Sequence, residues 1–146
     1  MSARASVTDD ILDRLSKAGR RRTAPRQAIV ERLVGARGHV TAEELAADVQ
    51  ARFPSVNIST VYRTLDTLED LGIVDHVHLG HGRAIYHLTD DDHQHLVCES
   101  CEAVEEIAID KLRPLFRTIE REHGFEVDRR HFAIVGLCRR CRTSRR

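Results

Sequence analysis

Excess charge of either sign is missing from this chain: 23 Lys and Arg residues face 23 Asp and Glu residues. No global pull towards nucleic acid exists, so any such footprint must be local. The balance holds in each half, with 12 basic and 11 acidic residues over 1–89 and 11 and 12 over 90–146. Long apolar runs are also lacking, which excludes a membrane-spanning helix, and the first twenty residues lack the cationic start and apolar stretch of a secretory signal. A cytoplasmic location is therefore expected. Cysteine is scarce, and in a reducing compartment the four present suit metal ligation or redox chemistry better than disulfides.

What is present is enough for a packed core, at 41% hydrophobic residues in 146. One local basic cluster stands out: Lys17, Arg20, Arg21, Arg22 and Arg26 lie within ten residues that contain no acid. Such a cluster is either a focused positive patch or a solvated helix end. The basic tail RRCRTSRR reads as a frayed end.

Four helical patterns come first. Residues 8–17 place Ile11, Leu12 and Leu15 on one face, and 24–35 repeat the pattern with Ile29, Val30, Leu33 and Val34 behind a Thr23 cap. TAEELAADVQARF begins with a Thr41-x-x-Glu44 capping box, carries Leu45, Val49 and Phe53 at helical spacing, and stops at Pro54. NISTVYRTLDTLEDLG takes Asn57 or Ser59 as its cap, buries Val61, Leu65 and Leu68, and ends at Gly72. Its other face holds Ser59, Thr60, Arg63 and Thr67. IVDHVHL and RAIYHL then flank the turn signal GHG, predicting a β-hairpin over 73–88.

Three helices followed by a hairpin form the layout of a winged helix-turn-helix, with the fourth helix as reader. The hydroxyls, Tyr62 and Arg63 on that helix can reach phosphates and base edges of double-stranded DNA. A polar helix face is also simply a solvated one. After an acidic joint at 89–92, the pattern becomes strand (HLVCESCEAVEEI), helix (109–123) and strand (FEVDRRHFAIVGLC). The expected architecture is thus α+β: a winged-helix domain over 1–88, a hinge at 89–92 and a small α/β domain over 93–146. With fewer than about 60 residues the second domain buries too little surface alone, so a metal staple or partner subunit is expected.

Cys98-x-x-Cys101 and Cys138-x-x-Cys141 are two thiolate knuckles separated by 36 residues. Four thiolates suit a closed, structural zinc site. The rival readings are redox dithiols, for which no thioredoxin-like context is present, and a zinc hydrolase or deaminase, whose histidine, glutamate and Pro-Cys signature HQH and VCESC do not match. A zinc-stapled protein-interaction module is the bland alternative. Of nine histidines, six cluster at 76, 78, 81, 87, 93 and 95. Residues i and i+2 of a strand share a side, so His76 with His78, and His93 with His95, are candidate bidentate pairs. The reading is therefore two kinds of metal site, a permanent thiolate cage and an exchangeable imidazole site.

NISTVYRTL, HQHLVCESC and HFAIVGLCRRC, in this order, resemble the ferric uptake regulator family of bacterial metal-responsive transcription regulators, over roughly residues 8–142. The resemblance implies a homodimer with N-terminal winged helices and C-terminal dimerisation domains that represses uptake genes when metal is bound. It supports zinc on the four cysteines and implies DNA contacts from Tyr62 and Arg63, with help from Arg20 and its neighbours, beside the Ser59 and Thr60 hydroxyls already read on that helix face. It implies a hinge site for a regulatory divalent ion on His39, His87, His93 and His95. HVHLGHG and RRHFAIVG look like the nickel-responsive branch, implying a nickel site on His76, His78 and His131. Gln94 stands where iron and peroxide sensors usually carry an acid or histidine. Asp75 matches an aspartate ligand of zinc-responsive members, whose additional cysteine is replaced by His87, so a zinc sensor is the runner-up. Asp91 and Asp92 either solvate the joint, the preferred reading, or supply an oxygen ligand.

Overall fold

In the computed structural model the described residues are 3–36, 39–79, 83–89, 93–129 and 132–144, with 3, 4 and 79 described by backbone alone. They divide into two units, Met1–Asp75 with Ala84–Thr89, and His76–Arg83 with Asp90–Arg146.

The first unit is helical. α1 spans Ala3–Lys17, α2 Ala24–Gly35, α3 Ala42–Arg52 and α4 Ile58–Asp70. α1 begins earlier than its apolar pattern, because Ala and Arg continue a helix without needing a face to bury. Thr23 caps α2, accepting from the Arg26 N–H. The capping box of α3 is complete: Thr41 Oγ1 accepts from Glu44 N at 3.1 Å and the Glu44 carboxylate accepts from Thr41 N at 2.8 Å. Phe53 lies just past that helix as its C-terminal cap rather than within it.

Asn57, not Ser59, caps α4, its Oδ1 accepting from the Ser59 N–H at 2.9 Å. At the other end Gly72 adopts φ +65°, and the Ile73 N–H reaches back to Leu68 O at 2.9 Å. Thr67, placed by its polarity on the outer face, is instead buried. Its hydroxyl donates to Arg63 O at 2.8 Å, which satisfies the group without water.

The hairpin forms as β2, Val74–Leu79, and β3, Arg83–Leu88. A two-residue strand β1, Val40–Thr41, joins it with Val40 opposite Tyr86, giving the order β1-β3-β2. Two residues carry no periodicity, so β1 is invisible in the sequence. The core of this unit is built on Leu12, Ile29, Leu45, Val61, Leu65 and Leu68, each at most 1% exposed. Helices, reader helix and wing together make a winged helix-turn-helix.

The second unit contains the sheet β5-β4-β6, formed by β4, His93–Cys98, β5, Val104–Ala108, and β6, Ala133–Gly136. β4 pairs antiparallel with β5 and parallel with β6. HLVCESCEAVEEI is thus two strands rather than one, because the Cys98–Cys101 knuckle reverses the chain, with Glu102 at φ +57°. The expected helix from 109 is a 3-10 turn, Ile109–Lys111, followed by α5, Arg113–His123, which ends at Gly124 with φ +61°. Of the expected strand over 125–138 only β6 is regular, and the tail read as frayed forms a short helix α6, Arg139–Ser144. Ile109, Leu112 and Phe116 form a small buried cluster, with Ile107, Val127 and Phe132 packed against it. No helix among the described residues is long and apolar enough to cross a membrane.

Leu65 is fully buried between the helices of the first unit. Leu65→Ala is expected to destabilise that unit by about 2–5 kcal/mol through lost transfer energy and a residual cavity, read by thermal or urea unfolding.

Candidate metal centre

The sheet topology assembles the four cysteines. Cys98 ends β4 and Cys101 follows in the turn, while Cys138 lies just beyond β6 and Cys141 on α6. Because β6 runs parallel to β4, Gly136 sits opposite Cys98, and the Glu99 N–H donates to Gly136 O at 2.9 Å. Two knuckles 36 residues apart in sequence thereby become neighbours. All four Sγ atoms lie within 4.8 Å of one another, and Cys101 and Cys138 are 3.8 Å apart. A tetrahedron of four thiolates at the usual zinc–sulfur distance has edges of about 3.8 Å, so the donor set fits such an ion.

The electrostatics agree with that fit. The backbone N–H of Cys138 donates to Cys98 Sγ at 3.4 Å, and this bond, with a second from the Cys101 amide, holds the Cys98 thiol down to about 6. Cys141 stands at the other extreme. A hydrogen bond with Ser100 pulls its thiol down, but Cys101, Cys138 and Cys98 together push it up to about 11. Four thiols this close cannot all ionise unaided, because each new negative charge opposes the next. A divalent cation removes that opposition.

The histidines pair within each unit. In the first, β1 lies beside β3, and the rings of His39 and His87 meet edge to face at 5.1 Å between centroids. In the second, His93 and His95 project from one side of β4 with rings 5.0 Å apart. Glu106 was not singled out from sequence, yet it faces His95 across the β4–β5 register, with its Oε1 3.9 Å from His93 Nε2. Nothing in EAVEEI distinguishes this carboxylate from its neighbours until the hairpin register is known. Gln94 points the other way and is buried, its amide donating to Arg129 O at 2.8 Å. The third pair is closest: His76 Nε2 and His78 Nε2 are 3.1 Å apart on β2. His131, Asp91 and Asp92 lie outside the described residues, and Asp75 is half-buried on β2.

On α4, Tyr62 and Arg63 are exposed and Ser59 and Thr60 half-buried, while Arg20 is exposed ahead of α2. Within the basic patch, Arg22 is engaged by Asp9 at 2.9 Å and the Arg26 guanidinium donates to Arg21 O. The Tyr62 hydroxyl donates to Glu43 Oε1 at 2.9 Å.

A sequence model of the ferric uptake regulator family matches residues 17–135. The ferric uptake regulation protein of Bacillus subtilis is 34% identical over 138 residues, 91% of this chain and 93% of that protein. The peroxide-responsive repressor PerR of Staphylococcus epidermidis is 29% identical over 146 residues, 97% of each. The fold is shared with the Helicobacter pylori ferric uptake regulator Fur, with a TM-score of 0.77 at 20% identity over 92% of this chain and 93% of that one. On the extent of the match, the thiol cluster and the winged helix, the chain belongs to the ferric uptake regulator family of metal-responsive transcriptional regulators.

Proposed function

We propose that the protein is a cytoplasmic, homodimeric repressor that binds double-stranded operator DNA when a regulatory nickel ion is bound, with structural zinc on Cys98, Cys101, Cys138 and Cys141. It performs no catalysis in this reading. The observation that carries the choice of nickel is the His76–His78 pair, whose Nε2 atoms are 3.1 Å apart. Two ring nitrogens this close can ligate one ion together, and imidazole donors suit nickel. His131 is the proposed third ligand.

A second pair of half-sites supports regulation through a hinge. His39 and His87 belong to the first unit, His93 and His95 to the second. One ion taking all four would select a fixed relation between units, and so between the reader helices of a dimer. Glu106 beside His93 adds an oxygen donor there, and mixed imidazole and carboxylate donors suit iron or manganese. That donor set, with relatives named for ferric uptake and peroxide response, favours an iron- or peroxide-responsive regulator as the second reading. Zinc sensing rests on Asp75 alone.

Bound zinc would supply a cross-link between the two knuckles. Cys98→Ser or Cys138→Ser is expected to abolish the one zinc per chain that survives chelation and to loosen the second unit, read by elemental analysis and hydrogen exchange. Operator binding should strengthen with the cognate ion and fall steeply with salt, since phosphate contacts release counterions. Equal operator binding by chelated and metal-loaded protein would sink the switch. Arg63→Ala should weaken operator affinity about tenfold or more while metal content stays unchanged. His76→Gln and His78→Gln should remove the nickel response; retention of it, together with an iron response, would move the assignment to the second reading.

A further inference from the structure

Glu43 occupies the first turn of α3, and its carboxylate accepts the hydroxyl proton of Tyr62, the exposed tyrosine of the reader helix, at 2.9 Å. A phenol has one O–H to give. While Glu43 takes it, Tyr62 has nothing to donate to a phosphate oxygen, which can only accept. The carboxylate's negative charge repels a phosphate from the same place. What Tyr62 retains is its ring and an oxygen able to accept, and these are complementary to base edges: an apolar face for a pyrimidine methyl, an acceptor for an exocyclic amine.

We propose that Glu43 is a positioning residue for sequence discrimination, committing Tyr62 to the bases of double-stranded DNA instead of the backbone. The proposal rests on the repressor reading. Glu43 need not touch DNA; it acts by fixing where the Tyr62 proton points. The neighbouring Tyr86 phenol is raised to about 12, by burial first and then by Glu69. The Tyr62 phenol is also raised, chiefly by its bond to Glu43.

The chain has two tyrosines and no tryptophan, so both phenols can be followed optically. The full-length protein, loaded with nickel or iron, is offered a duplex selected from random-sequence DNA by the wild type and a shuffled duplex of the same composition. In Glu43→Ala the affinity ratio between the two should fall about tenfold, mainly because shuffled DNA is bound as well or better. The earlier of the two tyrosine titrations, absent in Tyr62→Phe, should move down towards the ordinary tyrosine value. Glu43→Gln, which keeps an acceptor, should restore most of the discrimination. A general weakening on both duplexes with an unmoved phenol titration would mark Glu43 as merely structural and overturn the proposal. So would an unchanged ratio. Absence of any preferred duplex for the wild type under every metal would overturn the repressor reading as well.

Discussion

β4 carries two kinds of candidate ligand on one short strand: His93 and His95 near its start and Cys98 at its end. It is also the central strand, hydrogen-bonded to β5 on one side and β6 on the other. Whatever fixes the thiols therefore fixes the imidazoles. The parallel β4–β6 pairing sets Gly136 beside Cys98 and so delivers Cys138 and Cys141, while the antiparallel β4–β5 pairing sets Glu106 beside His95. A permanent thiolate cross-link at one end of a strand is a means of holding an exchangeable site at the other end in shape when its own ion is gone. Among the described residues this unit buries a small apolar cluster of Ile109, Leu112 and Phe116, with Val97 and Cys98 buried on β4. A unit of this size gains from a cross-link that holds its sheet in shape.

The same logic explains which features could be read from sequence. α3 and α4 were legible because cap, apolar spacing and stop signal agree from Thr41 and Glu44 to Gly72, with Phe53 and Thr67 the exceptions. The cysteine spacing announced a metal cluster, and the i, i+2 histidines announced pairs, since strand alternation needs no tertiary information. What stayed hidden depends on pairing partners distant in sequence. Glu106 acquires a role only through the β4–β5 register, and β1 exists only because β3 lies beside it. Thr67 misled for a different reason: a hydroxyl that bonds its own helix's backbone can be buried as if apolar. The tail gave a wrong impression because its basic composition conceals a turn of helix that carries Cys141.

Donor chemistry divides the candidate sites more sharply than family likeness does. The thiol cluster suits a permanent soft-ligand ion. Of the imidazole pairs, His76 and His78 bring their Nε2 atoms within 3.1 Å of each other, whereas the His93–His95 pair has a carboxylate beside it. Two exchangeable sites of different hardness on one chain would sample different ions at different availabilities, so selectivity belongs to the set of sites and the metal pool together.

The reader helix itself leaves little room for regulation from inside. Val61, Leu65 and Leu68 are completely buried, Asn57 caps its start, and the Arg14 guanidinium of α1 donates to Leu71 O at 2.8 Å at its end. Its exposed tyrosine is held by α3 through Glu43. A helix tied at both ends and packed along one face shifts only at the cost of the core it belongs to, and close-packed cores are not continuously deformable. In the proposed repressor, a hinge ion would act on where the first unit is carried rather than on the shape of α4. The proposed hinge ligands fit that requirement, since His87, His93 and His95 follow one another along the chain on either side of residues 89–92.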